Sequence, residues 1–352
     1  MLAFHSDAHS LALPPGHRFP QSKYRLLREH FEREPGLLRM QDAPAASEGE
    51  LALAHTPDYI DAVLLGHLSP AQQREIGFPW SPSMAARSRH SVGASIAAAR
   101  AALAEGVAAN MAGGTHHAYA DKGSGYCVFN DVAVAARLMQ SEWARSHRST
   151  LQVLVIDLDV HQGNGTASIF RDDDTVFTFS MHGARNFPFR KEASDLDVEL
   201  PDGCADADYL AALDGALEEV WRRLNSDPPG LAFYVAGADP HEGDRLGRLK
   251  LSYEGLAERD RRVLAALHER RIPVALSMAG GYGRDLATTV AVQVNTLNLA
   301  VQAWQRFNAR GTGSRPGPGA APVRAATRPP RRFPRRGRRS AASCRRPGGR
   351  PC

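Results

Sequence analysis

The sequence predicts an α/β fold with a largely parallel sheet, and three observations carry that expectation. Short apolar, β-branched runs alternate with longer segments of helical periodicity. The most unusual polar residues fall just beyond the apolar runs, where open parallel sheets bind their ligands. At 352 residues the chain is long enough to bury the core of one large domain or two smaller ones.

Taken in order, the strands are expected at Leu2–His5, Val107–Met111, Leu151–Asp159, Val176–Met181, Leu231–Gly237 and Val274–Met278, each an apolar run too short to be a helix. Helices are expected at Ser91–Glu105, Asp131–Ser146, Asp208–Leu224 and Ser252–Arg270. Thr56-Pro57 offers a cap followed by proline at the first helical position, and Ser252 precedes Glu254 as a second cap. After about residue 310 the chain has almost no aliphatic residues and no periodicity, so it cannot offset its ordering entropy. The expected organisation is a folded domain over residues 1–310 and a disordered Arg/Pro/Gly-rich tail over 311–352.

Charge follows the same boundary. The formal net charge is +5, yet residues 311–352 hold twelve Arg and no Asp, Glu or Lys; the first 310 residues have 31 basic against 38 acidic residues, about −7. The folded part therefore gives no argument for nucleic acid, and only the tail offers an arginine arm for a polyanion. No run of eighteen apolar residues occurs, so no membrane span is expected. The N-terminus, MLAFHSDAHS, lacks the basic start and apolar run of a secretory signal. Cys127 and Cys204 are far apart and Cys344 and Cys352 lie in the tail, which fits reduced thiols and a cytoplasmic location rather than a disulfide framework.

Four constellations carry chemistry. DLDVHQGNG, residues 157–165, follows a buried apolar run; Asp157, Asp159 and His161 share one parity and face one side of an extended chain. A carboxylate and an imidazole so spaced can ligate one divalent metal, although an Asp–His hydrogen-bonded pair explains the pattern equally well. GGTHHA, residues 113–118, sets two histidines behind a Gly-Gly turn. Asp239 follows the run LAFYVAGAD, and Tyr282 sits in the glycine-rich AGGYG. Asp159, His161 and Asp239 together leave a coordination position open, as catalytic zinc requires. Two histidines can move protons and a tyrosine can donate to a developing oxyanion, which implies metal-assisted hydrolysis of a carbonyl compound.

In order and spacing, DLDVHQGNG, GGTHHA, GSGYCVFND, FSMHG, GADPHEGD and AGGYG resemble the zinc-dependent histone deacetylase superfamily over roughly residues 1–305. The HQGN form, with Gln162 and Asn164, looks most like its class IV branch and bacterial relatives. The resemblance implies an arginase/deacetylase-like three-layer fold, helices flanking a central, mainly parallel sheet. It implies zinc on Asp159, His161 and Asp239, His117 as general base and acid with His116 beside it, and Tyr282 as oxyanion donor. Asp157 orients His116, and Asn164 stands beside His117 where much of the family has Asp. It also implies structural K+ or Na+ near Asp157, Asp159, His161, Ser180 and Met181, with a second site near Phe170, Asp173 and Val176. Gly125 and Tyr126 match the acyl-lysine channel. No role falls to His241, whereas His17 lies in an N-terminal segment that borders the site in relatives.

The function so implied is hydrolysis of an acyl-lysine amide in a protein, with acetyl or longer acyl groups. A small acylated amine such as an acetylpolyamine would need the same chemistry. A non-catalytic binding protein and a two-manganese ureohydrolase remain as different classes; the second needs more carboxylates than these motifs supply.

Overall fold

The computed structural model describes residues 1–34 and 36–309; the expected tail lies outside the described residues. Eight strands form one sheet: β1 (Leu2–His5), β2 (Arg39–Asp42), β3 (Val107–Asn110), β4 (Val153–Asp157), β5 (Val176–Gly183), β6 (Leu196–Leu200), β7 (Leu231–Val235) and β8 (Val274–Ser277). Their order is β2-β1-β3-β8-β7-β4-β5-β6, and every pairing is parallel.

A parallel sheet must be covered on both faces, and alternation along the strands achieves this. Val153 and Val155 of β4 join one apolar cluster while Leu154 and Ile156 join the other; Phe233 and Tyr234 of β7 divide in the same way. One face is covered by α3 (Pro57–Leu65), α5 (Pro82–Glu105) and α6 (Asp131–His147). The other is covered by α8 (Asp206–Leu224), α9 (Tyr253–Glu269) and α10 (Leu286–Ala309). Three layers result. Shorter helices α1 (Ser22–Arg33), α2 (Glu48–Leu51), α4 (Pro70–Ile76) and α7 (Asn164–Ile169) complete the chain.

All six expected strands and all four expected helices are present, β1 with the expected bounds and the others with one or both ends shifted. The largest strand difference is at β4, which stops at Asp157 instead of Asp159. Strand parity therefore covers neither Asp159 nor His161, and the loop must do the work assigned to the strand. Helix α5 begins nine residues before Ser91, because Ser81 accepts a hydrogen bond from Met84 N and Pro82 holds the first turn. Ser252 caps α9 through Gly255 N, whereas Thr56 stands at the start of α3 without a side-chain cap bond. Strands β2 and β6 are edge strands, the first almost fully exposed, so neither carries the apolar signature of a central strand. Helix α10 reads ambiguously because Val and Thr crowd its first half; tertiary packing of Val292, Thr296 and Ala300 decides it.

Two glycines inside helices should respond oppositely to alanine. A Cβ on Gly93 of α5 would stand 1.9 Å from the Pro44 carbonyl oxygen, while one on Gly215 of α8 meets nothing within 4 Å. Gly93→Ala should lose about 1–3 kcal/mol in urea unfolding, and Gly215→Ala should gain about 0.5–1 kcal/mol.

Candidate active site

The four motifs follow β3, β8, β7 and β4, which are neighbours in the sheet. Their loops therefore meet beyond the carboxyl ends of four adjacent strands. The turn after β3 is held by Asp131, a fully buried carboxylate at the start of α6. Its oxygens accept from Gly114 N (3.0 Å), Thr115 N (2.7 Å), Thr115 Oγ1 (2.7 Å) and Ser95 Oγ (2.5 Å). The approach is so close that a Cβ on Gly113, whose φ is +71°, would lie 2.5 Å from Asp131 Oδ2.

Beyond β4 the chain curls through two side-chain turns. Asp157 Oδ1 accepts from Asp159 N (3.2 Å), and Asp159 Oδ1 accepts from His161 N (2.9 Å). These turns, not strand parity, aim the three side chains, and they send Asp157 away from the other two. Asp159, His161 and Asp239 converge, with one ligand atom from each lying within 4.8 Å of the others. His161 Nδ1 is 3.0 Å from Asp159 Oδ1 and 3.2 Å from Asp239 Oδ2. Asp159 Oδ2 accepts from Gly280 N (2.8 Å) and Asp239 Oδ1 from Val160 N (3.0 Å). Asp239 Oδ2 is buried, has no partner of hydrogen-bond geometry among the described residues, and points into the cluster. Residue 280 must be glycine, since a Cβ there would come within 1.9 Å of Asp239 Oδ2 and 2.5 Å of Asp159 Oδ2.

Electrostatically the trio sets two buried carboxylates against one imidazole. Burial, reinforced by Asp159, pushes the Asp239 carboxyl up to about 7. The two carboxylates overcome burial at His161 and raise it to about 10. A divalent cation satisfies all three at once. Two carboxylate oxygens, one of them the orphaned Asp239 Oδ2, and one imidazole nitrogen fit zinc with a fourth position open.

Beside the trio, His116 and His117 have opposite environments. His116 Nδ1 donates to Asp157 Oδ2 (2.6 Å), and although burial opposes it, attraction to Asp157 and Asp159 raises His116 to about 9. Burial also lifts Asp157 itself, a cost that its ion pair with His116 offsets in part. His117 Nδ1 donates to Asn164 Oδ1 (2.7 Å); burial first, then the charges of His116 and His161, hold it well below the usual histidine range. The Asn164 amide is oriented in turn, because its Nδ2 donates to Tyr119 Oη (2.8 Å). Two adjacent histidines with divergent proton affinities can divide acid and base roles between them.

Gly125 and Tyr126 both adopt positive φ, +53° and +66°, in a turn pinned to α4 by Tyr126 N on the Ile76 carbonyl (2.7 Å). They line the pocket with Phe187, whose ring stands edge-on to His117 at 4.9 Å, and with Tyr282, 5.9 Å from the Tyr126 ring. His17 also borders this wall, its ring 5.8 Å from Tyr126. His241 instead accepts from Gly243 N and faces a different hollow. Ser180 pairs in register with Asp157, and Met181 is buried next to it. At the second expected cation position the Asp173 carboxylate is taken by Arg137 and by Thr175 Oγ1 (2.5 Å), which leaves only backbone carbonyls there.

Three supporting residues escaped the sequence reading. Lys23 of α1 is fully buried and donates to the Ala279 and Gly281 carbonyls (3.1 and 3.3 Å), bracing the loop that presents Tyr282. Arg259 of α9 is equally buried and donates to the carbonyls of Gly237 (2.7 Å) and Leu158 (3.3 Å), the backbone just ahead of Asp239 and Asp159. Asp260 neutralises Arg259 and accepts from Tyr234 Oη (2.5 Å) and Thr296 Oγ1 (2.6 Å). Tyr119 is the third. A charged residue within a helical pattern normally faces solvent, so no local signal marked Lys23 or Arg259.

A parallel α/β sheet carrying a buried Asp–His–Asp trio and a histidine pair at its strand ends defines a metal-dependent hydrolase. The chain belongs to the histone deacetylase family: the model for the histone deacetylase domain matches residues 17–297. An uncharacterized protein of Picosynechococcus sp. is 43% identical over 288 residues, 81% of this chain and 93% of its own length. Histone deacetylase 2 of Arabidopsis thaliana is 36% identical over 213 residues, 60% of this chain, and the match spans 53% of that relative. The crystal structure of a histone deacetylase homolog from Aquifex aeolicus superposes with a TM-score of 0.70 at 25% identity, covering 85% of this chain and 83% of that one.

The buried brace gives a stability prediction. Arg259→Met leaves Asp260 as an uncompensated buried carboxylate, and denaturant unfolding should show a loss of about 3–5 kcal/mol. Breaking the exposed Arg222–Glu219 pair should leave the unfolding midpoint essentially unmoved.

Proposed function

We propose that this chain hydrolyses the amide of an acyl-lysine in a protein, with zinc held by Asp159, His161 and Asp239. The observation that carries the reading is the meeting of that trio, the His116–His117 pair and Tyr282 in one pocket whose mouth is lined by Tyr126 and Phe187. When bound, zinc supplies a Lewis acid for the acyl carbonyl and lowers the pKa of an attacking water. His117, with its Nδ1 proton engaged by Asn164, presents Nε2 as the acceptor of the proton from that water and then returns it to the leaving amine. His116, kept protonated by Asp157, supplies fixed positive charge nearby. The Tyr282 hydroxyl makes no hydrogen bond among the described residues and is free to donate to the developing oxyanion. The aromatic walls hold the lysine stem and exclude water. A monovalent cation, K+ or Na+, beside Asp157 belongs to the same reading, as does a cytoplasmic location, which the free thiols Cys127 and Cys204 support. No helix of the described residues is long and apolar enough to cross a membrane.

An activity panel tests this directly. Acetyl-, butyryl- and myristoyl-lysine peptides are compared with acetylpolyamines on the zinc-loaded chain. At least one lysine peptide should be hydrolysed, and His117→Ala and Tyr282→Phe should each lower kcat by about 10²-fold or more with zinc content retained. Turnover confined to polyamines would move the function to small acylated amines, and turnover of nothing would remove the enzyme reading.

The Asn164 position makes a second prediction. His117 must be neutral to accept a proton, so activity falls as pH drops through its pKa. Asn164→Asp replaces a neutral acceptor with an anion that stabilises the imidazolium and raises that pKa. The acid limb of the pH–rate profile should therefore move to higher pH, and an unmoved limb would contradict the role given to Asn164.

A further inference from the structure

We propose that the mouth of this pocket selects acyl-lysine set in an acidic stretch of protein and disfavours lysine-rich tails and polyamines. The inference rests on the acyl-lysine reading and adds the chemistry of the flanking substrate.

Five arginines line the mouth and a hollow beside it. Arg74 from the last turn of α4 and Arg185 and Arg248 from the loops after β5 and β7 line the same opening as Tyr282, Phe187 and His117. Arg18 and Arg245 line an adjoining hollow that shares Leu246 and Tyr282 with it. All five are exposed. Arg245 is fixed in place, its Nε donating to the Tyr282 carbonyl (2.9 Å) and its Nη2 to the Arg18 carbonyl (3.4 Å).

The acids nearby do not cancel this charge. Glu75 accepts from Lys122 Nζ (2.7 Å), so that pair is neutral. Asp202 is shared between Arg248 (3.1 Å) and Arg185 (3.9 Å), one carboxylate for two guanidiniums. Asp244 is buried and turned inward, accepting from Tyr282 N (2.6 Å), Leu246 N (2.7 Å) and Gly247 N (2.9 Å). Arg18, Arg74 and Arg245 have no carboxylate partner among the described residues, and residues 311–352 contain no Asp or Glu to supply one.

The rim is thus positive on an otherwise acidic folded part, whose first 310 residues carry about −7. Local reversal of charge around a mouth focuses ligands of opposite sign and repels those of like sign. The guanidiniums come from four segments of chain around the opening and the hollow beside it, so they match several carboxylates at once. An acidic peptide offers that arrangement, whereas a small molecule with one anionic group engages a single arginine. Guanidinium also holds carboxylate in a planar, paired geometry, which favours Asp and Glu side chains in the flanks.

The test uses peptides of one length with a central acyl-lysine flanked by Asp, Ala or Lys. Dissociation constants come from fluorescence anisotropy on the full, zinc-loaded His117→Ala chain, and kcat/KM from the wild type. The acidic peptide should bind at least about tenfold tighter than the neutral one and the basic peptide more weakly still, a gap within the reach of electrostatic focusing. Raising salt from 0.05 to about 0.5 M should shrink the gap to two- or threefold, because the Debye length falls to about 4 Å and screens exposed charges. Arg74→Gln with Arg185→Gln and Arg248→Gln should collapse the ratio of acidic to neutral binding within the same variant. Equal binding of all three peptides, a preference for the basic one, or free acetyl-lysine binding as tightly as the acidic peptide would overturn the proposal. If the acidic preference holds in binding while the wild type hydrolyses none of the peptides, the proposal stands and the acyl-lysine hydrolase reading falls. If the neutral and basic peptides are hydrolysed as well as the acidic one, the reverse holds.

Discussion

Buried negative charge at the ends of β4 and β7 is the constraint around which the rest of this structure is arranged. Asp157, Asp159 and Asp239 are all nearly inaccessible to water, where an unpaired carboxylate is very costly. His116 answers Asp157. Among the described residues nothing fully answers Asp159 and Asp239, since His161 is one imidazole between two carboxylates and Asp239 Oδ2 has no hydrogen-bond partner. The proposed zinc would therefore answer carboxylates that these side chains answer only in part. A fold that buries such a cluster has to be held open for the cation.

Holding it open is the task of residues far from the motifs in sequence. Arg259 clamps the backbone ahead of both carboxylate ligands, and Asp260, Tyr234 and Thr296 keep that clamp neutral and in place. Asp131 does the corresponding work for the histidine turn by accepting four hydrogen bonds. Gly280 supplies the space that two carboxylates occupy. The Arg259 and Asp131 networks trade buried polar groups for geometric precision at the site, and their hydrogen bonds offset part of the cost of burial.

Much of this was legible in the sequence, and the boundary of legibility has physical causes. The central strands were readable because both faces of a parallel sheet are buried, which turns them into continuous apolar runs. Edge strands β2 and β6 have no such requirement and left no signal. Helix α10 was hidden by Val and Thr, which tertiary packing turns to helical use. At the site, Asp159, His161 and Asp239 converge, but strand parity does not bring them together: β4 ends at Asp157, and side-chain turns in the loop do the aiming. Lys23, Arg259 and Tyr119 were illegible because a single buried cation or hydroxyl in a helix or loop looks like a solvated one until the fold surrounds it.

The central claim is that this buried cluster is a single-metal site built from Asp159, His161 and Asp239. The most direct measurement is metal analysis of the purified chain together with zinc-edge X-ray absorption. One zinc per chain with an oxygen- and nitrogen-only shell at about 2.0–2.2 Å, lost in Asp239→Asn, is the result that the account predicts. Two metals per chain, or a sulfur ligand in the shell, would contradict it.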